Sequence, residues 1–137
     1  MHALPRAAAV AALALTLSAP ALGAAQASGN NWKTLASVAG GKIQVCKVAT
    51  TDTGPWKVKL RVDARRATTA VNGSAFVTKN EKNTDQHWKS GFIAKGRVSP
   101  TGVVKLTRGK AFALGAGIGT HNMGNGGSFR AGQIPHC

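Results

Sequence analysis

Negative charge is scarce in this chain. Only four of its 137 residues are Asp or Glu, against 18 Lys and Arg, so the formal net charge at neutral pH is +14. The sequence places all four carboxylates in or beside predicted turns: Asp52, Asp63, Glu81 and Asp85. A glycosidase needs two carboxyl groups on either side of one bond. This distribution argues against such a pair.

Motifs of the common nucleophilic and phosphate-binding sites are also missing. There is no G-x-S-x-G and no G-K-S/T. The six glycines of residues 115–127 form G-x-G-x-G rather than G-x-G-x-x-G, and no βαβ unit surrounds them. We therefore expect a non-enzymatic protein without a cofactor, and we interpret residues 115–127 as a mobile surface loop.

Long apolar runs are absent after the N-terminal region. Residues 1–27 combine Arg6, an apolar stretch over residues 7–17 and an Ala25-Gln26-Ala27 pattern. This is typical of a secretory signal peptide, since a membrane span needs roughly 20 apolar residues. We expect cleavage after Ala27, with Ala25 or Ala24 as alternatives. Residues 28–137 would then be one secreted domain without stable membrane insertion.

Cysteine is limited to Cys46 and Cys137. In an exported protein an even pair predicts a disulfide, which would also hold the C-terminal segment in place. A metal site that uses His87, His121 or His136 is the alternative. It lacks a close ligand spacing such as Cys-x-x-Cys or His-x-x-x-His. We expect one disulfide and no metal.

The clearest pattern in the chain is the alternation of apolar and charged residues over residues 56–63 (WKVKLRVD). A period of two predicts a half-buried β-strand. One face of this strand would enter the core and the other would point to water. The water-facing set begins with three cations and consists of Lys57, Lys59, Arg61 and Asp63.

Further short strands are predicted on both sides of this one, at residues 32–38, 42–50, 68–78, 87–98, 103–108, 111–114 and 128–134. Turn signals separate them, and the clearest is a type I hairpin turn over residues 99–102 (SPTG). Residues 79–85 contain no apolar side chain, so we expect a solvated loop there. Asn72-Gly73 is either a hairpin turn or a bulge within one long strand.

This spacing predicts an all-β fold. Seven or eight short strands without a helical period indicate an antiparallel β-sandwich or small barrel. We expect its core to contain the large apolar residues of the strands, namely Val45, Trp56, Val58, Leu60, Val62, Phe76, Trp88, Phe92, Val104, Leu106, Phe112, Leu114 and Phe129.

The excess of positive charge indicates the class of partner. A basic face attracts the anionic polymers of a cell envelope or nucleic acid without sequence preference. The alternative is a solvated face whose lysines prevent strands from pairing at their edges. If the strands of residues 56–63 and 103–108 are neighbours, their cations form one face. We expect polyanion binding by the cations of these strands and their ends, which are Lys57, Lys59, Arg61, Arg65, Arg66, Lys105 and Arg108.

Two histidines leave an enzymatic alternative open. His87 and His121 could serve as the acid and base of a small secreted ribonuclease, with a lysine near the phosphate. General acid/base catalysis requires a geometry that the sequence does not show. The residue types alone therefore do not support catalytic roles.

Residues 31–38 (NWKTLASV), Cys46, the N-terminal segment and the Ala/Gly/Arg/Val-rich composition resemble small secreted proteins of actinobacteria without an assigned activity. That resemblance brings no catalytic residues. Residues 88–98 (WKSGFIAKGRV), the exported size and the glycine content are also similar to small secreted β-sandwich bacteriocins, although residues 28–137 are longer than that group leads us to expect. This second resemblance implies an antimicrobial role as an alternative.

Overall fold

The computed structural model describes residues 31–137, which fold into eight β-strands and a 3₁₀ turn. The strands are β1 (Lys33–Val38), β2 (Gly41–Ala49), β3 (Trp56–Asp63), β4 (Val71–Lys79), β5 (Lys82–Ile93), β6 (Gly102–Leu106), β7 (Phe112–Gly119) and β8 (Gly124–Phe129). The 3₁₀ turn covers Ala131–Gln133. The expected signal peptide, residues 1–27, lies outside the described residues.

The strands form two antiparallel four-stranded sheets. The first sheet has the order β1-β2-β3-β6 and the second the order β5-β4-β7-β8. The edge strands β1 and β8 lie near each other, as do β6 and β5. Side-chain amides link these edges: the Gln86 Oε1 atom accepts a hydrogen bond from Lys105 N (2.9 Å), and Asn125 Nδ2 donates one to Ser37 O (3.1 Å). The predicted antiparallel sandwich with one disulfide is confirmed.

Two hairpins close through two-residue turns in the left-handed region. Ala39 and Gly40 have φ values of 47° and 79° and join β1 to β2. Asn80 and Glu81, with φ values of 49° and 65°, join β4 to β5 in the same way. Positive φ at both positions matches the right-handed twist of paired strands. The expected loop over residues 79–85 is therefore wrong, because β5 begins at Lys82.

Asn72-Gly73 is an irregularity within one strand and not a hairpin turn. Both residues lie in β4, and the register against β5 shifts between Gly73 and Ser74. Gly73 faces the core, where a Cβ atom would lie 2.5 Å from a methyl group of Val62. The missing side chain lets the two sheets approach each other at this point.

Most of the glycine-rich residues 115–127 are not a loop, contrary to our expectation, and residues 120–123 alone connect two strands. The others complete β7 and form most of β8, and β7 pairs along its whole length with β4. Backbone hydrogen bonds from a central partner strand thus offset the low strand propensity of glycine. The predicted last strand over residues 128–134 is replaced by the end of β8 and the 3₁₀ turn.

The predicted hairpin at residues 99–102 is also wrong. β5 belongs to the second sheet and β6 to the first, so this segment crosses between sheets. Ser99 is buried there, and its Oγ atom accepts a hydrogen bond from Val62 N (2.8 Å). The turn lies earlier, at Lys95-Gly96, where Arg97 N donates to Ala94 O (3.2 Å).

The core lies between the sheets and confirms most of the expected apolar set. Trp56, Trp88, Phe112 and Phe129 pack against its margin rather than inside it. The prediction is wrong for Phe76 and Phe92, which point outward from the second sheet and are 39% and 49% exposed. The smaller residues that fill the centre with the confirmed set are Ala36, Ile43, Ala64, Val71, Ala75, Val77, Ala116, Ile118 and Ile134.

The predicted disulfide joins Cys46 to Cys137, with a Cα–Cα distance of 4.9 Å. Cys137 N donates to Lys47 O and Lys47 N to Pro135 O, each at 2.9 Å, so the C-terminal segment continues the first sheet beside β2. The same segment buries Ile134 in the core. The bond therefore holds a part of the chain that also completes the hydrophobic packing.

Within residues 31–137, no helix is long and apolar enough to cross a membrane.

Candidate anion-binding face

The outer surface of the first sheet carries the cations that the alternation over residues 56–63 predicted to face water. β3 turns Val58, Leu60 and Val62 into the core, so its other residues point outward. Lys57, Lys59 and Arg61 then follow one another at intervals of about 7 Å along the strand. We call the outward residues Lys42, Lys57, Lys59, Arg61 and Lys105 the cationic face.

The register between β3 and β6 places two lysines side by side. Lys57 is the direct partner of Lys105, and the next outward pair is Lys59 with Val103. Directly opposed residues on antiparallel strands have Cα atoms about 5 Å apart, and like charges in this position repel each other. An anion bound between the two ammonium groups would relieve that repulsion.

The neighbours on β2 add no negative charge to these positions. Val48, Cys46 and Gln44 lie opposite Lys57, Lys59 and Arg61, respectively. The centre of the cationic face therefore has no carboxylate next to it. This arrangement is favourable for an external anion.

Arg61 is the most firmly held cation of the face. Its Nε atom donates to Gln44 Oε1 (2.9 Å), and its guanidinium carbon lies 4.4 Å from the centre of the Trp32 ring. Burial lowers the pKa of Arg61, and Asp63 opposes that shift. A planar guanidinium fixed in this way can still donate its remaining N–H groups to a phosphate or sulfate.

Arg65 is engaged at the end of β3. Its Nε and Nη2 atoms donate to the two carboxylate oxygens of Asp63, at 3.0 and 2.7 Å. The hydrogen bonds from Arg65 lower the pKa of Asp63 to about 2, against the opposing effect of burial. Arg65 therefore compensates the one carboxylate beside the face, and it contributes less free positive charge than the sequence suggested.

Arg66 lies in the connection from β3 to β4, beside the same carboxylate. A polar depression of about 420 Å³ is lined there by Gly40, Lys42, Gln44, Asp63, Arg65 and Arg66. This depression continues the cationic face toward the β1–β2 hairpin. Arg66 thus lies at the margin of the cationic face and not on β3.

Arg108 lies away from the face, at the end of the sandwich. Its Nε and Nη2 atoms donate to Gly54 O (2.7 Å) and Thr51 O (3.1 Å), and the guanidinium carbon is 3.9 Å from the Trp56 ring centre. Lys47 approaches the same ring at 4.6 Å. These contacts give Arg108 a structural role, so we remove it from the candidate site.

Lys47 shows how tightly that end is packed. The residue is only 7% exposed, and its ammonium group donates to Ala131 O. Burial lowers the pKa of Lys47, and the positive charge of Arg108 adds to the shift. This cation therefore holds the C-terminal segment and is not presented to solvent.

Sequence reasoning missed Lys42 as a member of the face. Lys42 is the partner of Asp63 on β2, and it alternates with the buried Ile43 and Val45. The alternation Lys42, Ile43, Gln44, Val45 is the signal that could have identified it.

The two histidines lie at separate points on the opposite sheet. His87 is the partner of Phe76, whereas His121 stacks on Phe92, with ring centres 4.3 Å apart. Phe92 pairs with Asn72, four residues from Phe76 on β4, which corresponds to about 13 Å along the strand. This register does not bring both imidazoles to one phosphate.

The described part of the chain, residues 31–137, contains no group of three or more His, Cys, Asp or Glu side chains that could hold a metal ion. Comparisons of this chain with protein families, curated proteins and solved structures found no match. The assignment of a function therefore depends on the geometry of the faces.

Proposed function

We propose that this protein is exported and binds anionic polymers without sequence preference through its cationic face. The observation that carries this proposal is the register that sets Lys57 beside Lys105, with Lys59 and Arg61 in line and no carboxylate directly opposite them on β2 or β6. The candidate partners are anionic polymers of the cell envelope and nucleic acid. The disulfide is consistent with an extracellular location, since such bonds persist in oxidising compartments.

The spacing of the cations supports a phosphate-bearing or sulfate-bearing chain as the ligand. Cations at intervals of about 7 Å on one strand are close to the separation of successive phosphates in a nucleic acid strand. Contacts of this kind depend on charge and not on base identity. We therefore expect strong salt dependence and little difference between polymers of equal charge density.

The test replaces Lys57, Lys59 and Arg61 together by Gln, which deletes three charges and leaves the core-facing residues of β3 unchanged. A matched control replaces Lys82, Lys95 and Lys110 by Gln; these exposed residues lie outside the cationic face. Both variants lose the same net charge. We expect only the first to elute from heparin at much lower salt than the parent.

Binding to a single-stranded oligonucleotide measures the number of contacts. Each neutralised phosphate contributes about 0.7 to the slope of log K against log salt, so three lost contacts should reduce the slope by about 2. Equal elution of the two triple variants would show that net charge alone explains retention. It would reject the face as the binding site.

A further inference from the structure

The outer surface of the second sheet carries a groove that the anion-binding proposal does not use. Its central depression, of about 580 Å³, lies over β4, β7 and β8. Two phenylalanines that the sequence pattern assigned to the core, Phe76 and Phe92, are exposed on this surface. Aromatic side chains that line a depression are a common feature of ligand-binding sites.

The Phe76 ring lies in a space that the neighbouring strand leaves open, because residue 115 has no side chain. A Cβ atom at Gly115 would lie 2.4 Å from Cζ of the Phe76 ring. The ring therefore lies across the backbone of β7 and covers residue 115, which is buried. With 39% of the residue exposed, Phe76 offers solvent a fixed aromatic surface.

Polar groups surround this aromatic surface. Ser74, Thr78, Ser128 and Glu81 line the central depression with Phe76. Glu81 forms no salt bridge with any residue of 31–137, where the one ion pair joins Arg65 to Asp63. Glu81 is also the one charged residue among those that line the central depression. The central depression therefore does not favour an anionic group beside Phe76, whereas Lys89, Lys110 and Arg130 line the two adjoining depressions.

The central depression is part of a longer groove. It shares Ser74 with a depression beside Asn72 and Phe92, and it shares Thr78 with one beside Lys110. The outward residues of β4, from Asn72 to Thr78, extend over about 20 Å. The groove is therefore long enough for a chain of several linked rings rather than a single small molecule.

We infer that this groove binds an uncharged, extended polysaccharide chain, with one sugar ring stacked on Phe76. A pyranose ring has an apolar C–H face that packs on an aromatic ring, and hydroxyl groups at its edge that can bond to Ser, Thr and Glu side chains. The mixture of one ring, several hydroxyls and one carboxylate fits these two surfaces. The glycines of β7 and β8 that line the central depression have no side chains that would obstruct a bound chain.

Binding of the purified protein to cellulose and chitin particles tests this inference. The buffer contains about 0.5 M salt, in which contacts between exposed charges are screened. We expect retention of the parent protein and an affinity lower by about tenfold or more for Phe76→Ala, as for loss of an aromatic stacking platform. The control Val103→Ala removes an exposed apolar side chain from the other sheet and should bind like the parent.

A second variant separates loss of binding from loss of folding. Gly117 lines the floor of the central depression, and a Cβ atom there would have Asn125 O as its closest neighbour, at 3.4 Å. Gly117→Thr suits a β-strand and should block the groove while Phe76 stays in place. The inference is supported if both variants lose retention while their melting temperatures stay unchanged. The Lys57, Lys59 and Arg61 triple variant should then be retained like the parent. Absence of parent retention on both particles, or equal retention of Phe76→Ala, overturns it and leaves the anion-binding proposal unaffected.

Discussion

Single residues decide how closely the two sheets of this domain can pack. Gly102 begins β6, and a Cβ atom there would lie 2.0 Å from Nε1 of the Trp88 ring. Trp88 comes from β5 of the other sheet, so this glycine determines where the indole ring can cross between the edges. The sequence shows Gly102 only as a turn residue, because nothing in a local pattern reveals a contact with another sheet.

We expect Gly102→Ala to destabilise the fold. The added methyl group forces the indole ring or β6 to move, and overpacking of this kind costs about 1–3 kcal/mol. Urea unfolding measures the change. Gly132→Ala is the control, since a Cβ atom there has no neighbour within 4 Å. Equal stability of the two variants would show that Trp88 does not depend on the space above Gly102.

Asp63 makes stability depend on pH. The folded pKa of about 2 lies below the value of about 3.9 for an unfolded Asp, so this contribution is fully present above about pH 4 and is lost as the pH falls toward 2. Arg65 is largely exposed, at 61%, and water screening reduces the effect to about 1 kcal/mol. Asp63→Asn should therefore be less stable than the parent at neutral pH and equally stable near the folded pKa.

Urea titrations at a series of pH values check this expectation. Asp52→Asn is the control, since Asp52 is exposed in the turn before β3. It should change stability little at any pH. A constant difference between Asp63→Asn and the parent at all pH values would contradict the role of the Arg65 pair.

At the scale of elements, the sequence predicted strands best where one face is buried and the other is charged. β3 was predicted with its observed bounds, because Trp56–Asp63 alternates without interruption. Only the start of β7 and the end of β8 were predicted as strand, because residues 115–127 have too few side chains to form any period. The glycine-rich part of β7 pairs with β4, which is distant in sequence, and β8 pairs in turn with β7.

The same distinction applies to the candidate site. Lys57, Lys59 and Arg61 could be assigned to one face from their spacing, whereas the neighbourhood of Lys105 depends on a strand order that the sequence does not encode locally. Arg108 follows β6 but turns toward Trp56 at the end of the sandwich. A local pattern gives the direction of a side chain within a strand, but not beyond its end.

The C-terminal segment should depend on its disulfide. Replacing Cys46 and Cys137 by Ala removes a link across a sequence separation of 91 residues, and we expect a loss of about 2–4 kcal/mol. The backbone hydrogen bonds to Lys47 remain possible, so the segment should open locally before the whole domain unfolds. Hydrogen exchange at Lys47 and Cys137 measures this opening, and unchanged protection would contradict it.

On the scale of the whole molecule, the charge is unevenly distributed. The described residues carry 17 Lys and Arg against all four carboxylates, since residues 1–30 hold only Arg6 among these types. The cationic face concentrates part of this excess on one sheet, and the opposite groove is centred on Phe76 and Glu81. The repulsion among so many cations destabilises the compact state when salt is low.

We therefore expect the melting temperature to rise with salt. Between about 0.01 M and about 0.1 M, the screening length falls from roughly 30 Å to roughly 10 Å, which weakens repulsion between exposed charges. Calorimetry in sodium chloride measures the rise. The Lys57, Lys59 and Arg61 triple variant should show a smaller rise than the parent. A melting temperature that falls with salt would mean that attractive ion pairs dominate the surface.

The last turn and the residues after it affect the order in which the domain can be completed. A ribosome makes the chain from the amino end, so the residues of all eight strands are synthesised before Ile134 and Cys137. Until then the site that Ile134 fills in the core is open, and Cys46 has no partner within the domain. Each newly made copy thus passes through a stage in which the Cys46 thiol is free and the interior is incomplete. Oxidation can stabilise the domain only after Cys137 has reached Cys46 on β2.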